Sequence, residues 1–422
     1  MKIGIIGAGY TGLAAGYKLT SEGHDVLIYE KDPQPGGLAI GYREKNWEWS
    51  LEKHYHHWFT NDESVLSLAK KINHEVVIKR PVTSSYVDSQ ILQLDSPITL
   101  LKFAKLSQVE RVRMAATLAA LRFNPFWKPL EKLNADKVLP SLMGKKSYEM
   151  LWEPLLSNKF GKYSKDISLA WFWARIKKRT TSLAYPSGGF LDFATNLTDK
   201  IIENGGVVNF SNGVVNIKAD KNKVILRDEK NNTDIFDKVL VTLPSHYFTQ
   251  ITNGLPQGYK NKLTNLKGIG AVNLVVRLSK PFFSSNTYWL SICEKNAPLL
   301  AVVEHTNFMN RKYYNNEHIV YLGNYLPTDH RYFKMGEREI FSEMKSYLNN
   351  ISPNFHKNII GIKKFVAPFA QPVIPVNYSK QIPPFMTPVK NVYLANMQQV
   401  YPWDRGTNYA VELGERVSSL IT

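Results

Sequence analysis

The sequence predicts an α/β fold in which an N-terminal parallel sheet is interleaved along the chain with an α+β region of mixed sheet and helices. Three observations carry this. First, Lys2–Ile6 is a short apolar run that leads directly into Gly7-Ala8-Gly9-Tyr10-Thr11-Gly12, a helical stretch over residues 13–19, and a second apolar run ending at Glu30. Short apolar runs of this kind suit strands buried on both faces. Second, strand-like and glycine-led helical segments recur over 184–244 and again over 391–421. Third, the residues between them read as helices and β-rich segments with no internal repeats and no low-complexity linkers. At 422 residues the chain has the length of two or three domains or of one large unit with insertions.

The N-terminal element is a GxGxxG turn in its full context of strand, turn, helix, strand and acid. Gly7 permits the tight turn, Gly9 lets backbone approach a pyrophosphate, and Gly12 allows close helix–strand packing. The helix N-terminus offers free N–H groups and partial positive charge to that pyrophosphate. Glu30 lies 18 residues after Gly12, placed to accept hydrogen bonds from a ribose diol. A second glycine pair, Gly36-Gly37, brings another stretch of backbone to the same place with no Cβ in the way.

This extended stretch resembles the dinucleotide-binding motif of FAD-dependent oxidoreductases of the amine oxidase and protoporphyrinogen oxidase superfamily. The resemblance implies a Rossmann-like FAD-binding domain of the glutathione-reductase type and a separate substrate domain. It also implies non-covalent FAD held by Gly7, Ala8, Gly9, Tyr10, Thr11 and Gly12, by Glu30 and Lys31, and by Gly36, Gly37 and Leu38. No second GxGxxG follows, which disfavours a separate NAD(P)H domain. The FAD-binding part is expected from residues 1–75, 185–250 and 388–422, and the substrate part, with a helical cap, from 76–184 and 251–387.

Later segments extend the likeness. Ala184-Tyr-Pro-Ser-Gly188-Gly189-Phe190 matches the family element that leads into a helix, here over 191–204, closed by Gly205-Gly206. In the family a valine matching Val214 or Val215 supplies backbone hydrogen bonds to adenine. Strand 391–395 precedes Asp404-Arg-Gly406-Thr407-Asn408, which opens the last helix where the family binds the flavin end. Asn396-Met397 replaces the usual Gly-Asp, and Asp404 is the expected substitute for the lost acid.

Composition excludes several classes. Hydrophobic residues at 44% and charged residues at 21% rule out wholesale disorder. No run of about 18 uncharged apolar residues occurs, so an integral membrane protein is not expected. The single cysteine, Cys293, excludes internal disulfides and multi-cysteine zinc sites. With a strand starting at Lys2 and no leader in view, a cytoplasmic protein is expected. The net charge of +17 comes from 39 Lys and 14 Arg against 36 acids. Residues 102–146 carry ten basic and three acidic side chains, and Arg175, Lys177, Lys178 and Arg179 cluster beyond them. Such charge suits a solvated face, an anionic small-molecule substrate, or peripheral membrane contact through the basic 98–146 region. Nucleic acid is not expected, because no nucleic-acid-binding motif accompanies it.

For chemistry, His54-Tyr55-His56-His57 is the densest titratable cluster. No carboxylate joins it and its spacing does not converge on one ion, so no metal is expected. The family's corresponding segment runs beneath the flavin ring into the substrate cavity, which makes His54 and His56, with Tyr55 between them, the first catalytic candidates. An unperturbed imidazole exchanges protons near a pKa of about 6.5. Glu304, beside His305 at a strand end, is the second candidate, and Tyr401, Trp403 and Arg405 are candidates for the flavin face. The lysine that amine oxidases place near the flavin falls here on Asn273, which weakens an amine oxidase reading but not a flavin redox one. The function expected is hydride transfer from an organic substrate to FAD. The alternatives are a non-redox flavoenzyme resembling UDP-galactopyranose mutase, acting on a nucleotide sugar, and a flavin-free scaffold resembling the Rab GDP-dissociation inhibitors, which the retained Glu30 and Gly36-Gly37 argue against.

Overall fold

The computed structural model describes residues 1–422. Five short strands form a parallel sheet in the order Val207–Asn209, Asp25–Tyr29, Lys2–Ile6, Lys238–Val241 and Val392–Leu394. Ile5 pairs with Ile28 on one side and Leu240 on the other. Ile3, Ile5, Val26, Ile28 and Leu240 are fully buried. Burial on both faces is why these strands read as unbroken apolar runs and not as alternations. Helix Tyr10–Ser21 packs against both Phe190–Glu203 and Thr407–Ile421. A three-stranded antiparallel sheet, Val214–Asp220, Lys223–Asp228 and Thr233–Phe236, lays Leu226 and Phe236 over Gly4.

The second sheet has seven strands, in the order Ile359–Pro372, Gly268–Leu278, His318–Leu326, Ala301–Glu304, Thr287–Ile292, Val82–Val87 and Gln90–Gln93. Its pairs are antiparallel except Thr287–Ile292 with Val82–Val87. Helix Glu337–Ile351 packs on it through Ile340, Phe341, Met344 and Leu348. The strands of the two sheets alternate along the chain, as an interleaved α/β architecture requires.

The longest of the seven strands carries a weak strand signal in the sequence, for a physical reason. Ile359–Pro372 carries Lys363, Lys364 and Pro368 and pairs only with Gly268–Leu278. As an edge strand it keeps one side unpaired, where charge and proline are tolerated and the apolar alternation fades. The remaining helices, including Gln108–Phe123, Ala135–Met143, Glu153–Phe160 and Leu169–Lys178, form a cap over residues 97–178. No helix is long and apolar enough to cross a membrane.

Candidate active site

The glycine turn is built by contacts that admit nothing larger. Gly7 has φ +106°, and a Cβ at Gly12 would stand 2.0 Å from the Gly7 carbonyl oxygen. The second glycine pair closes on the first: the Gly36 amide donates to the Ala8 carbonyl at 3.0 Å. At Gly37, φ is +58° and a Cβ would stand 2.9 Å from the Gly9 Cα. Glu30 reaches back to the turn, accepting from the Ala8 amide at 2.6 Å and the Asp32 amide at 2.9 Å. The amides of Gly9, Tyr10, Thr11 and Gly12 donate to no protein acceptor. Those of Thr407, Asn408 and Tyr409 at the last helix are unpaired in the same way. Gly414 of that helix packs on Thr11 and Ala15, so the two free N-termini belong to one packed pair of helices. Orphan amides at the heads of two helices are an anion-binding donor set. The residues present fit the pyrophosphate of a dinucleotide.

The other predicted cofactor residues take varied positions. The Tyr10 ring is buried, its hydroxyl donating to the Phe190 carbonyl at 2.7 Å, so it offers only backbone to a ligand. Lys31 is exposed, Val214 is buried and Val215 is exposed. Leu38 lines a small cavity shared with His54, Asn273 and Arg405.

A larger cavity of about 280 Å³ begins at the head of the last helix, where Arg405, Gly406, Thr407 and Asn408 line it. Trp152, Trp171, Phe172, Tyr288 and Trp289 give it aromatic walls. Its floor holds a buried charge network centred on Asp404. One Asp404 oxygen accepts from Trp171 Nε1 at 3.0 Å and Gln371 Nε2 at 3.1 Å; the other accepts from Arg175 at 2.8 Å and lies 4.0 Å from Lys159 Nζ. Burial alone would raise this carboxyl, but Lys159, Arg175 and Arg405 outweigh it and hold it far below the usual carboxylate range. Lys159 sits among the rings of Phe160, Trp171 and Tyr325, and burial together with Arg175 pushes its ammonium well down. This corrects the expected role of Asp404. Its acceptor positions are already filled by protein donors, so it anchors the cavity floor and is not free to replace the lost cofactor contact.

The His54–His57 segment does enter the site. Tyr55 and His56 line both cavities, His54 the smaller and His57 the larger. Their partners diverge: His54 Nδ1 accepts from the Asn273 amide at 2.9 Å, His56 Nδ1 donates to the His54 carbonyl at 2.6 Å, and His57 Nδ1 meets the Tyr288 hydroxyl at 3.1 Å. Asn273, where amine oxidases carry lysine, therefore orients His54. With Nδ1 committed as donor, neutral His56 keeps its lone pair on Nε2.

Burial opposes the expected proton exchange near neutral pH. Burial drives His54 down to about 3, His56 to about 4 and His57 to about 3, with neighbouring His56 or arginine charge adding to it. The unfolded imidazoles take up protons below about 6.5, whereas the folded ones stay neutral, so these residues withdraw stability as pH falls from that value and not above it. In ring-proton NMR of the full-length protein, these three imidazoles are expected to show no titration between about pH 5 and 8. A midpoint near 6.5 for His56 would contradict its burial.

Glu304 is the clearest correction. It is fully buried and accepts from the Phe282 amide at 3.2 Å, the Phe283 amide at 2.9 Å and His318 Nδ1 at 3.2 Å. It lines neither cavity. Its work is to satisfy a turn of the seven-stranded sheet. His305 is likewise buried, bonded to the Tyr314 hydroxyl at 2.8 Å. Tyr401 bonds Glu131 at 3.1 Å, and Trp403 stacks on Trp173 with centroids 5.3 Å apart, so of that trio only Arg405 lines the cavity.

Two residues the motifs did not suggest stand out. Lys159 reaches the cavity floor from a cap helix whose sequence carries no signature. Glu52 is fully buried, accepting from the Tyr185 hydroxyl at 2.7 Å and the Phe190 amide at 3.0 Å, and burial pushes it up to about 7. It caps the helix after Gly188-Gly189, tying the residue 41–52 segment to that element.

Known proteins place this geometry. The chain superposes on a protein assigned as a protoporphyrinogen oxidase from an Exiguobacterium species with TM-score 0.76 and 15% identity, covering 100% of this chain and 98% of the other. It superposes on reduced UDP-galactopyranose mutase with TM-score 0.77 and 14% identity, covering 99% and 96%. At such identities the likeness is one of fold. A subunit of a Salmonella typhi NAD-dependent dihydropyrimidine dehydrogenase, the PreT homolog, is 64% identical over 36 residues, 8% of this chain and 9% of that protein. The chain thus matches only a small part of the length of this curated relative. The model of flavin containing amine oxidoreductases, by contrast, matches residues 10–422, and the chain belongs to that family.

Proposed function

We propose that this chain is an FAD-dependent oxidoreductase in which hydride passes from an anionic organic substrate to non-covalently held FAD. The observation that carries this is helix Thr407–Ile421, whose Gly414 packs on Thr11 just past the glycine turn and whose first residues line the aromatic cavity. A dinucleotide bound at the turn would meet a substrate there. The free amides of residues 9–12 would take the pyrophosphate, Glu30 the adenosine ribose, and the amides of residues 407–409 the flavin end. Bound FAD supplies a two-electron acceptor. Cys293 lines neither cavity and burial pushes its thiol up to about 12, which favours a flavin held without a thioether.

The chain's own work is orientation, exclusion of water and proton handling. The aromatic walls exclude water from the substrate's body. Arg175, Lys178 and Arg179 line the cavity, and Arg179 forms no ion pair with any carboxylate, so it is free to take a substrate carboxylate or phosphate. His56, neutral at physiological pH, offers its Nε2 lone pair as a hydrogen-bond acceptor to the substrate, and because burial opposes its protonation the proton lost with the hydride passes on to water.

The test is anaerobic mixing of the holoprotein with panels of carboxylate- and phosphate-bearing substrates and their uncharged analogues. Flavin bleaching is expected with anionic members only. Arg179→Ala should raise the half-saturating concentration about tenfold and change the limiting bleaching rate less than about twofold, the mark of lost ground-state binding. Equal bleaching by uncharged analogues, or an unchanged half-saturation, would remove the anionic-substrate reading. The same cations suit a nucleotide-sugar diphosphate, which favours the mutase reading as the second choice. Turnover that needs flavin pre-reduction and consumes no electron acceptor would select it.

A further inference from the structure

The cap carries a surface that neither cavity uses. Helix Gln108–Phe123 has two apolar stripes. Met114 and Leu121 are buried against the body of the protein. On the opposite side Val109, Val112, Ala116, Ala119 and Phe123 recur at three- and four-residue spacing, and all are exposed. Val109 is 76% exposed, Val112 60% and Phe123 78%; flanking the helix, Ile98 is 65% and Phe126 69% exposed. One stripe is enough to fold a helix onto its protein. A second, outward one stands against water and marks a surface that meets something else.

The charge on the same region says what. Residues 102–146 hold ten basic and three acidic side chains, and Lys102, Lys128, Lys132, Lys137, Lys145 and Lys146 are exposed. Arg113 and Arg122 flank the outward stripe. Arg113 donates to the Leu142 carbonyl at 2.9 Å, and Arg122 to the carbonyls of Ile176 at 3.1 Å and Arg179 at 2.8 Å. The stripe therefore ends against residues 176–179, which include cavity-lining Ile176, Lys178 and Arg179. Apposing two copies of this face would bring like charge against like charge, which disfavours a dimer through it.

We propose that this face docks on an anionic lipid bilayer. The outward stripe enters the interfacial region and the lysines meet acidic headgroups, the arrangement of an interfacial amphipathic helix. With no helix able to cross a membrane, the attachment is peripheral. Docking in this way sets the Arg179 side of the cavity near the headgroup layer.

Sedimentation of the full-length protein with vesicles tests this without reference to catalysis. Binding to phosphatidylcholine vesicles containing phosphatidylglycerol should be at least about tenfold tighter than to phosphatidylcholine alone. It should largely disappear in about 1 M salt, where the screening length is about 3 Å. Phe123→Ser with Phe126→Ser should weaken binding about tenfold with thermal unfolding unchanged, because both side chains are exposed. Lys145→Glu with Lys146→Glu should abolish the preference for anionic lipid. Equal binding to both vesicle types, or wild-type binding by the phenylalanine variant, would overturn the proposal. So would a wild-type dimer that the phenylalanine variant converts to monomer, which would show a second copy covering this face.

Discussion

Gly12→Ala is expected to weaken FAD binding by about a hundredfold or more while the chain stays folded. The added Cβ would stand 2.0 Å from the Gly7 carbonyl oxygen and 3.3 Å from Ile5 Cγ2. No rotamer relieves a clash at Cβ, so the turn between strand and helix must open. Opening it disperses the amides of residues 9–12, the donors left unpaired by the protein. Hydrogen bonds to a charged group contribute about 1.5–3 kcal/mol each, so losing two accounts for about a hundredfold or more. Flavin fluorescence titration of apoprotein reads the affinity, and far-UV circular dichroism reads the fold. Gly258→Ala is the control, since nothing lies within 4 Å of its Cβ position. If Gly12→Ala fails to fold, Glu30→Ala removes the expected ribose contact with no steric intrusion and carries the same test. Wild-type affinity in a folded Gly12→Ala protein would mean that the turn does not hold the cofactor.

Asp404→Asn is expected to cost about 3 kcal/mol of stability or more, the usual penalty for stripping a buried cation of its partner. Asp404 is the only carboxylate paired with Lys159 and Arg175. Without it the part-exposed Arg175 loses its counter-charge. The buried Lys159, whose ammonium burial already pushes well down, loses the one group that favours its charged form. The amide substituent also offers one acceptor oxygen where the carboxylate accepts from three donors and pairs with Lys159 at 4.0 Å. The pH dependence follows from the sign of the shift. Because the folded carboxyl is held below its unfolded value, its contribution is fully present above about pH 4 and is lost as pH falls from there. Wild type should therefore lose stability on acidification in this range by more than Asp404→Asn does. Urea unfolding at neutral and acid pH measures both effects. A variant as stable as wild type at pH 7 would mean that the network is not electrostatically coupled.

What was legible in the sequence follows from how local each constraint is. The glycine turn, Glu30 and Gly36-Gly37 could be read because their chemistry fixes residue type and spacing within one short segment. The His54–His57 segment was readable as site-lining for the same reason, but its proton affinities were not. Those depend first on burial and then on the charge of Arg405, Arg175 and Arg179, which arrive from distant parts of the chain. Glu304 looked reactive beside His305, yet its partners are the amides of residues 282 and 283, some twenty positions earlier. Lys159 and Asp404 meet across more than two hundred residues; Lys159 carries no signature, and Asp404 reads in the sequence as a cofactor contact because its partners lie so far away. Edge strand Ile359–Pro372 was hidden because its exposed side admits lysine and proline. Periodicity captured the buried parallel strands, whereas long-range ion pairing and edge pairing lay outside its reach.

Acid denaturation of the full-length protein, purified after expression with ample riboflavin, tests the central claim most directly. The supernatant should contain about one equivalent of FAD per chain, with no flavin left on the precipitate, as a cofactor held by backbone amides and Glu30 requires. A protein that carries no flavin under those conditions, and binds none when FAD is added, would contradict it.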